Sequence, residues 1–335
     1  MDVDRVTQTR HHYGVRVALL LLVLASCGKT ESAQRKPVVE DDPEERCDPR
    51  ETRVCVGTRV VACEDGKLGR ALRQCSDTCK KGKCVGSCAE GAELIYVVNA
   101  DNQLLSFDPR KLPAQPFDLI GEMKCGAMGT PFSMSVDRSG TAWVLYTDGD
   151  LYEVSTIDAA CKRSNFASSS RTFGMGFVTD EPGGKTEKLY VAANDGSHEL
   201  SYLDTTQDVP VAKTVATLPS TARHPELTGT SEAKLFGFFP ASGEGSFVQE
   251  IDRKTGATVG TKWELGDRLD YVGAYAFAHW GGTFFIFVSS DSSTVRAIDR
   301  KTGAYRLVMD NLPYRITGAG VSTCAPERDQ AKATL

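Results

Sequence analysis

The sequence predicts an all-β chain: a five-bladed β-propeller over 89–326, its first blade completed by the C-terminal strand, preceded by a small disulfide-rich module over 47–88. Three observations carry that reading. Strand-like runs begin at Leu94, Ala142, Leu189, Leu235 and Thr283, every 46 to 48 residues, and a fixed period of this length marks a repeat architecture with several strands per unit. The phrase Asp-Arg-Lys-Thr-Gly occurs twice, at 252–256 and 299–303, 47 positions apart. Six of the 11 cysteines fall within 47–84, a segment with almost no apolar core of its own.

The N-terminal region reads as an export signal. Arg5, Arg10 and Arg16 precede the short apolar run "VALLLLVLA" at 17–25. Nine residues at helical rise cannot cross a hydrocarbon core of about 30 Å, so 1–26 is expected to be a signal peptide. "LASC" at 24–27 resembles the lipobox of bacterial lipoproteins, in which small residues admit the peptidase and the thiol carries diacylglycerol. The resemblance implies that Cys27 is lipidated and becomes the mature N-terminus. An ordinary signal peptide with an incidental cysteine is the alternative. Gly28 follows, without the Asp that commonly retains such lipoproteins in the inner membrane, and this favours the outer membrane. Residues 28–46, with no aromatics, two prolines and dense charge, cannot bury enough surface to order themselves. Together with Cys27 they form an expected tether of about 25 Å reach.

The module follows. Cys47, Cys55, Cys63, Cys75, Cys79 and Cys84 are expected to form three bridges among themselves, with 15 connectivities open. A zinc site is the competing reading. However, no CxxC pair occurs, no His lies nearby, and an exported chain meets oxidising conditions.

Beyond Cys88, each repeat has a second run after its strand and most have a third before it. The third runs include "FSMSV" (132–136), "FGMGF" (173–177), "YAFAH" (275–279) and "ITGAGV" (316–321). Small residues at alternate positions share one strand face, as crowded innermost strands require. "LTGT" (227–230) keeps the pattern poorly. The last such run has no repeat after it, whereas the repeat at Leu94 lacks one before it, so 316–322 should complete the first blade. Unclosed sandwich-like strands are the alternative. In the Asp-x-x-Thr-Gly turns, Asp should cap its own backbone and Gly take positive φ. Residues 327–335 are expected to be a disordered tail.

Four cysteines remain. Cys125 and Cys161 each follow the second run of adjacent repeats, which predicts a bridge between them. Cys88 and Cys324 are left by parity and flank the ends of the first blade, which predicts a bridge that locks the ring. The runs "PFSMSVDRSGTAWVLYTDGDLYEVST" (131–156), "RTFGMGF", "ELTGT", "AFAHWGG" and "GAGVSTCAP" resemble an uncharacterised family of exported bacterial lipoproteins with a cysteine-rich N-terminus and propeller-like repeats. The resemblance covers most of 47–326 and implies architecture without an activity.

The chain is 25% charged with a net charge of −5 and no basic block, which argues against a nucleic-acid surface. No HExxH, GxSxG, Walker-type loop or calcium-loop pattern occurs. "SEAK" (231–234) fits S-x-x-K but reads as strand or turn, not the helix start that this nucleophile needs. Beyond the signal peptide, the histidines are His198, His224 and His279. His279 and Trp280 are candidates to line a channel, against a structural histidine. Asp137, Asp180 and Glu232, one per successive repeat, are the best catalytic candidates: propeller glycosidases bring carboxylates to the axis at spacings of roughly 6.5–9.5 Å for inversion. The bland reading makes Asp137 and Asp180 turn residues. The sequence therefore favours a lipid-anchored binding scaffold over an enzyme. Its partners would be the membrane and an envelope protein or glycan, with no metal, cofactor or nucleic acid.

Overall fold

The computed structural model describes residues 46–328, apart from 76–77, 87, 167–169, 222, 241–244 and 266–272. The signal peptide, Cys27 and residues 28–45 of the tether lie outside the described residues.

The module is small and built of strands. β1 (Arg53–Val56), β2 (Arg59–Glu64) and β3 (Lys67–Gln74) form a three-stranded sheet, and β4 (Thr78–Lys80) pairs with β5 (Lys83–Val85). Its buried apolar residues among those described are few, Val60, Val61, Ala62, Cys63, Cys75 and Cys84, with Ala89 and Ala92 packed against them from just beyond its end. A core this small does not hold a fold unaided. Three disulfides supply what is missing: Cys47–Cys63, Cys55–Cys79 and Cys75–Cys84.

The rest of the chain is all β-structure in repeated four-stranded antiparallel sheets. The first sheet contains β6 (Ile95–Asn99), β7 (Gln103–Phe107) and β8 (Phe117–Glu122). The second is β9 (Pro131–Val136), β10 (Thr141–Tyr146), β11 (Leu151–Ser155) and β12 (Cys161–Arg163). The third is β13 (Phe173–Thr179), β14 (Glu187–Ala193), β15 (Glu199–Leu203) and β16 (Lys213–Thr217). The fourth is β17 (Glu226–Gly229), β18 (Leu235–Phe239), β19 (Phe247–Ile251) and β20 (Thr258–Glu264). The fifth is β21 (Ala274–Trp280), β22 (Thr283–Ser289), β23 (Ser293–Asp299) and β24 (Tyr305–Leu312). The final strand, β25 (Ile316–Val321), returns to the first sheet and pairs antiparallel with β6, from Ile316 opposite Asn99 to Val321 opposite Ile95.

The arrangement is propeller-like. The innermost strands touch in the cycle β25, β9, β13, β17, β21 and back to β25. A hydrophobic cluster fills each of the five seams between consecutive sheets. Met134 and Val136 pack on Tyr96 and Val98, and Phe173, Met175 and Phe177 pack on Trp143 and Leu145. Leu227 and Leu235 meet Val178 and Ala192, while Tyr275 and Phe277 meet Phe236 and Phe238. The cycle closes where Ile316 and Ala319 meet Ala276 and Ala278. Each fully buried large side chain contributes roughly 1.5–3 kcal/mol, so the seams, not the short module, hold most of the apolar stabilisation.

The small-residue face serves backbone contact. A Cβ on Gly174 would lie 2.1 Å from the Pro225 carbonyl oxygen, the backbone of the next sheet. The twice-written phrase has a local cause. Asp252 accepts hydrogen bonds from the amides of Lys254 and Thr255, each at 2.9 Å, and Asp299 accepts those of Lys301 (3.0 Å) and Thr302 (2.8 Å). Gly256 and Gly303 sit at φ +72° and +74°, where a side chain is strained. Each turn delivers the chain to the outermost strand of its sheet.

Two further disulfides span larger distances. Cys125–Cys161 joins the segment after β8 to β12, linking the first and second sheets. Cys88–Cys324 joins the end of the module to the residues after β25, 236 positions away. Glu327, assigned from the sequence to a disordered tail, is instead held in place. Ser231 donates to it from its amide (2.7 Å) and its hydroxyl (2.6 Å).

Two outcomes follow. Gly174→Ala should destabilise by about 3 kcal/mol, because two backbones must separate to admit one methyl group; denaturant unfolding reads it, and a change under 0.5 kcal/mol would show that the seam is loose. The pair Cys88→Ser/Cys324→Ser releases a loop for which chain entropy gives an upper bound of about 5 kcal/mol. Thermal unfolding should shift down and protease should cut first near β25, whereas unchanged melting and cleavage would remove the bridge from any role in closure.

Candidate functional site

The ring has two ends, and they differ. Turns from each innermost strand to its neighbour gather at one end, together with the turns that lead to the outermost strands. There the segment after β25 crosses the ring and makes contacts at or beside every sheet. Ser322 donates to the Ala92 carbonyl at 2.7 Å, beside the first sheet. Thr323 accepts from Arg138 of the second sheet's turn at 3.0 Å and donates to Glu187 of β14 at 2.7 Å. The Pro326 carbonyl accepts from the Gly281 amide of the fifth sheet at 2.7 Å, and Glu327 takes the Ser231 bonds of the fourth. The segment works as a strap that closes this end.

The catalytic candidates from the sequence lie in these turns, and each is occupied. Asp137 accepts from the Ser139 hydroxyl (2.5 Å), the Thr141 amide (2.9 Å) and the Trp143 indole N–H (3.1 Å). Asp180 pairs with Lys188, and Glu232 with Arg300 at 3.1 Å. No hydrogen bond among the described residues joins any two of the three. His279 and Trp280 do not line a channel, because successive residues of β21 point into opposite seams. His279 is 2% exposed and stacks near Phe236 and Phe284. Trp280 packs into the seam with the first sheet, where its indole N–H donates to the Glu93 carbonyl at 2.8 Å. Burial, with Arg300 close by, pushes His279 down to about 3. Its Nδ1 lies 3.9 Å from Glu327, so a neutral ring faces the strap.

The opposite end, where the innermost strands begin, carries the group that sequence reasoning missed. Glu226 opens β17 and is 1% exposed. It reaches to Ser133 of β9, whose hydroxyl donates to Oε2 at 2.9 Å across 93 positions of chain. Burial raises its carboxyl well above the usual range, against the smaller opposing pull of Ser133 and the Met175 amide. His224 Nε2 lies 3.9 Å from Oε1, and burial pushes that imidazole down to about 4, helped by Arg223. Tyr275 donates to the His224 carbonyl at 2.9 Å, Phe132 stacks on the His224 ring at 5.4 Å, and the Arg223 guanidinium lies 5.4 Å from the Tyr275 ring centre. The cluster is a buried hydrogen-bonded plug rimmed by aromatic groups. The available signal was a carboxylate inside an innermost run, in "ELTGT" (226–230), where the other repeats place small or apolar residues.

The module docks on the second sheet. Arg73 donates to the Ser139 carbonyl (2.5 Å) and the Thr156 hydroxyl (3.1 Å). It lies so close to Gly140 that a Cβ there would be 1.9 Å from the guanidinium. Lys83 pairs with Glu153 at 2.5 Å, Arg70 lies 3.9 Å from Asp158, and the Ala89 amide donates to the Arg138 carbonyl at 2.9 Å. A shallow crevice remains along this contact. Among the described residues no cluster of His, Cys, Asp or Glu has the geometry to hold a metal ion.

No family model matches the chain, and no curated protein matches it. Among solved structures it is similar to a chain of the mitotic checkpoint complex, at 12% identity and TM-score 0.37, over 63% of this chain and 60% of that one. It is also similar to a gluconolactonase from Xanthomonas campestris, at 16% identity and TM-score 0.40, over 69% of this chain and 75% of that one. The first match spans less than two thirds of that chain's length.

The plug makes a pH prediction. A carboxyl whose folded pKa is raised is fully stabilising below its unfolded pKa of about 4.5 and loses that stability as pH rises through the folded value. Glu226→Gln keeps the shape without the ionisation. Its melting temperature should match the parent near pH 4 and exceed it increasingly as pH rises. A constant difference across pH would contradict the assignment.

Proposed function

We propose that this protein is a membrane-anchored lipoprotein that acts as a non-catalytic binding scaffold in the cell envelope. The five four-stranded sheets are the blades of a five-bladed β-propeller over 89–326. Residues 1–26 are a cleaved signal peptide, Cys27 carries lipid, 28–46 tether the module, and the outer membrane is the destination. The reading belongs with the resemblance to exported lipoproteins with a cysteine-rich N-terminus.

One observation supports the scaffold reading above the others. The module, the first part of the described chain after the tether, is bonded by Cys88 to Cys324 at the point where the ring closes. A pull on a lipid-anchored terminus therefore enters the ring at its covalent joint and does not peel a strand from it. The strap and the module's docking contacts occupy the turn-rich end and its flank, which leaves the end with Phe132, Arg223 and Tyr275 to face an envelope protein or glycan. Asp137, Asp180 and Glu232 are spent on turns and ion pairs, so the glycosidase alternative gains no support from their geometry.

Mass spectrometry of the mature protein should find cleavage before Cys27 with added acyl mass, and Cys27→Ser should release the protein from membranes. A soluble product cleaved elsewhere would end the lipoprotein reading. For the scaffold, a photo-crosslinking residue at Met128, which is 97% exposed beside the open end, should capture envelope material, while one at Lys254 on the turn-rich end should not. Equal capture from both positions, or polysaccharide turnover abolished by Asp137→Asn, would overturn it.

A further inference from the structure

The crevice between the module and the second sheet concentrates positive charge on a chain that is net negative. It runs from Glu51, Thr52 and Arg53 of the module, past the β4–β5 turn with Lys81 and Lys83, to Glu153 and Lys162 of the second sheet, four cations against two carboxylates. A second crevice, continuous with the first through Arg53, Gly82 and Lys83, extends inward to Arg73. The cations along this path are not equivalent. Lys83 is taken by Glu153 and Lys81 by Asp208, both at 2.5 Å, and Arg73 is spent on Ser139 and Thr156. Arg53 is different. It is only partly exposed, it lines both crevices, and its guanidinium has no hydrogen bond or ion pair among the described residues. Burial lowers its pKa, opposed only by the more distant charges of Asp158, Glu153 and Asp137. A half-buried guanidinium without a partner is costly, and the cheapest remedy is an anion able to accept from its fork.

We propose that this crevice binds a phosphoryl-type oxyanion, with Arg53 as the principal contact and Lys162 and the Thr52 hydroxyl at the rim. A tetrahedral oxyanion suits the guanidinium fork, because two of its oxygens can accept in parallel. Neither carboxylate of the crevice repels it strongly: Lys83 neutralises Glu153 at contact distance, and Glu51 is exposed at the rim, where solvent screens its charge. The crevice is shallow and open, so it takes a charged group at the end of a larger molecule or a free ion, and not a buried ligand. A phospholipid headgroup and a soluble phosphate share this chemistry. The site is independent of the lipid anchor and of the open end of the ring.

The test uses the mature chain with Cys27→Ser, which carries no acyl group, so that vesicle binding reports the crevice and not the anchor. Inorganic phosphate is titrated by calorimetry at low salt. Sedimentation is measured with phosphatidylcholine vesicles, with and without phosphatidylglycerol. Binding of phosphate alone assigns a soluble phosphoryl ligand, and binding of the phosphatidylglycerol vesicles assigns a lipid headgroup. In either case Arg53→Gln should weaken binding about tenfold or more, the loss expected for one charge-assisted contact. Lys162→Gln, at an exposed position where folding is not at risk, should weaken it by about threefold, and added salt should weaken it further. A disulfide map and melting curve of Arg53→Gln verify that the module remains folded. No binding of either probe, or parental affinity in both variants, overturns the proposal. A failure of Cys27 lipidation would leave this outcome unaffected.

Discussion

The architecture depends on the pairing of β25 with β6. Without it the first sheet lacks its innermost strand, β6 presents an unpaired edge, and both β9 and β21 lose the neighbour against which they pack. Every seam is shared by two sheets, so a ring with one missing strand loses contacts on two sides at once. The strand that closes the ring is also the most distant in sequence from its partner. Bringing them together therefore carries the largest loop-closure cost in the chain. The Cys88–Cys324 bond holds those ends close in the unfolded chain as well, which lowers the entropy lost on closure. The strap from Ser322 to Glu327 adds hydrogen bonds at or beside each of the five sheets at the same end.

What could be read from the sequence was whatever repeats or sits locally. The turns at Asp252 and Asp299 are specified by four or five consecutive residues. The small faces of Gly174–Gly176 and Gly318–Gly320 follow from alternation within one strand. The displaced run at 316–321 could be assigned to the first sheet because the repeat count left it without a sheet of its own. Turn chemistry also explains why Asp137 and Asp180 attract attention as carboxylates and yet are engaged where they stand.

The polar groups that finish the ring were not legible, and the reason is physical. Glu226 meets Ser133, Glu327 meets Ser231, and Glu187 meets Thr323 across 93, 96 and 136 positions. None of these pairs has a spacing rule, because a ring brings together residues from sheets that are remote in sequence. The assignment of His279 and Trp280 to a channel failed for a related reason. Neighbouring strand residues face opposite ways, and the apolar seams claim both faces of β21. The end of the described chain, polar and near a terminus, looks like a tail until the sheets are in place to receive it.

Native-state hydrogen exchange at β25 addresses closure most directly. If β25 is an integral strand of the ring, amides of 316–321 should exchange only through global unfolding, at the same free energy as those of β9 and β13. Exchange of β25 through a separate, lower-energy opening while β9 and β13 stay protected would contradict the account, because the ring would then stand without the strand said to close it.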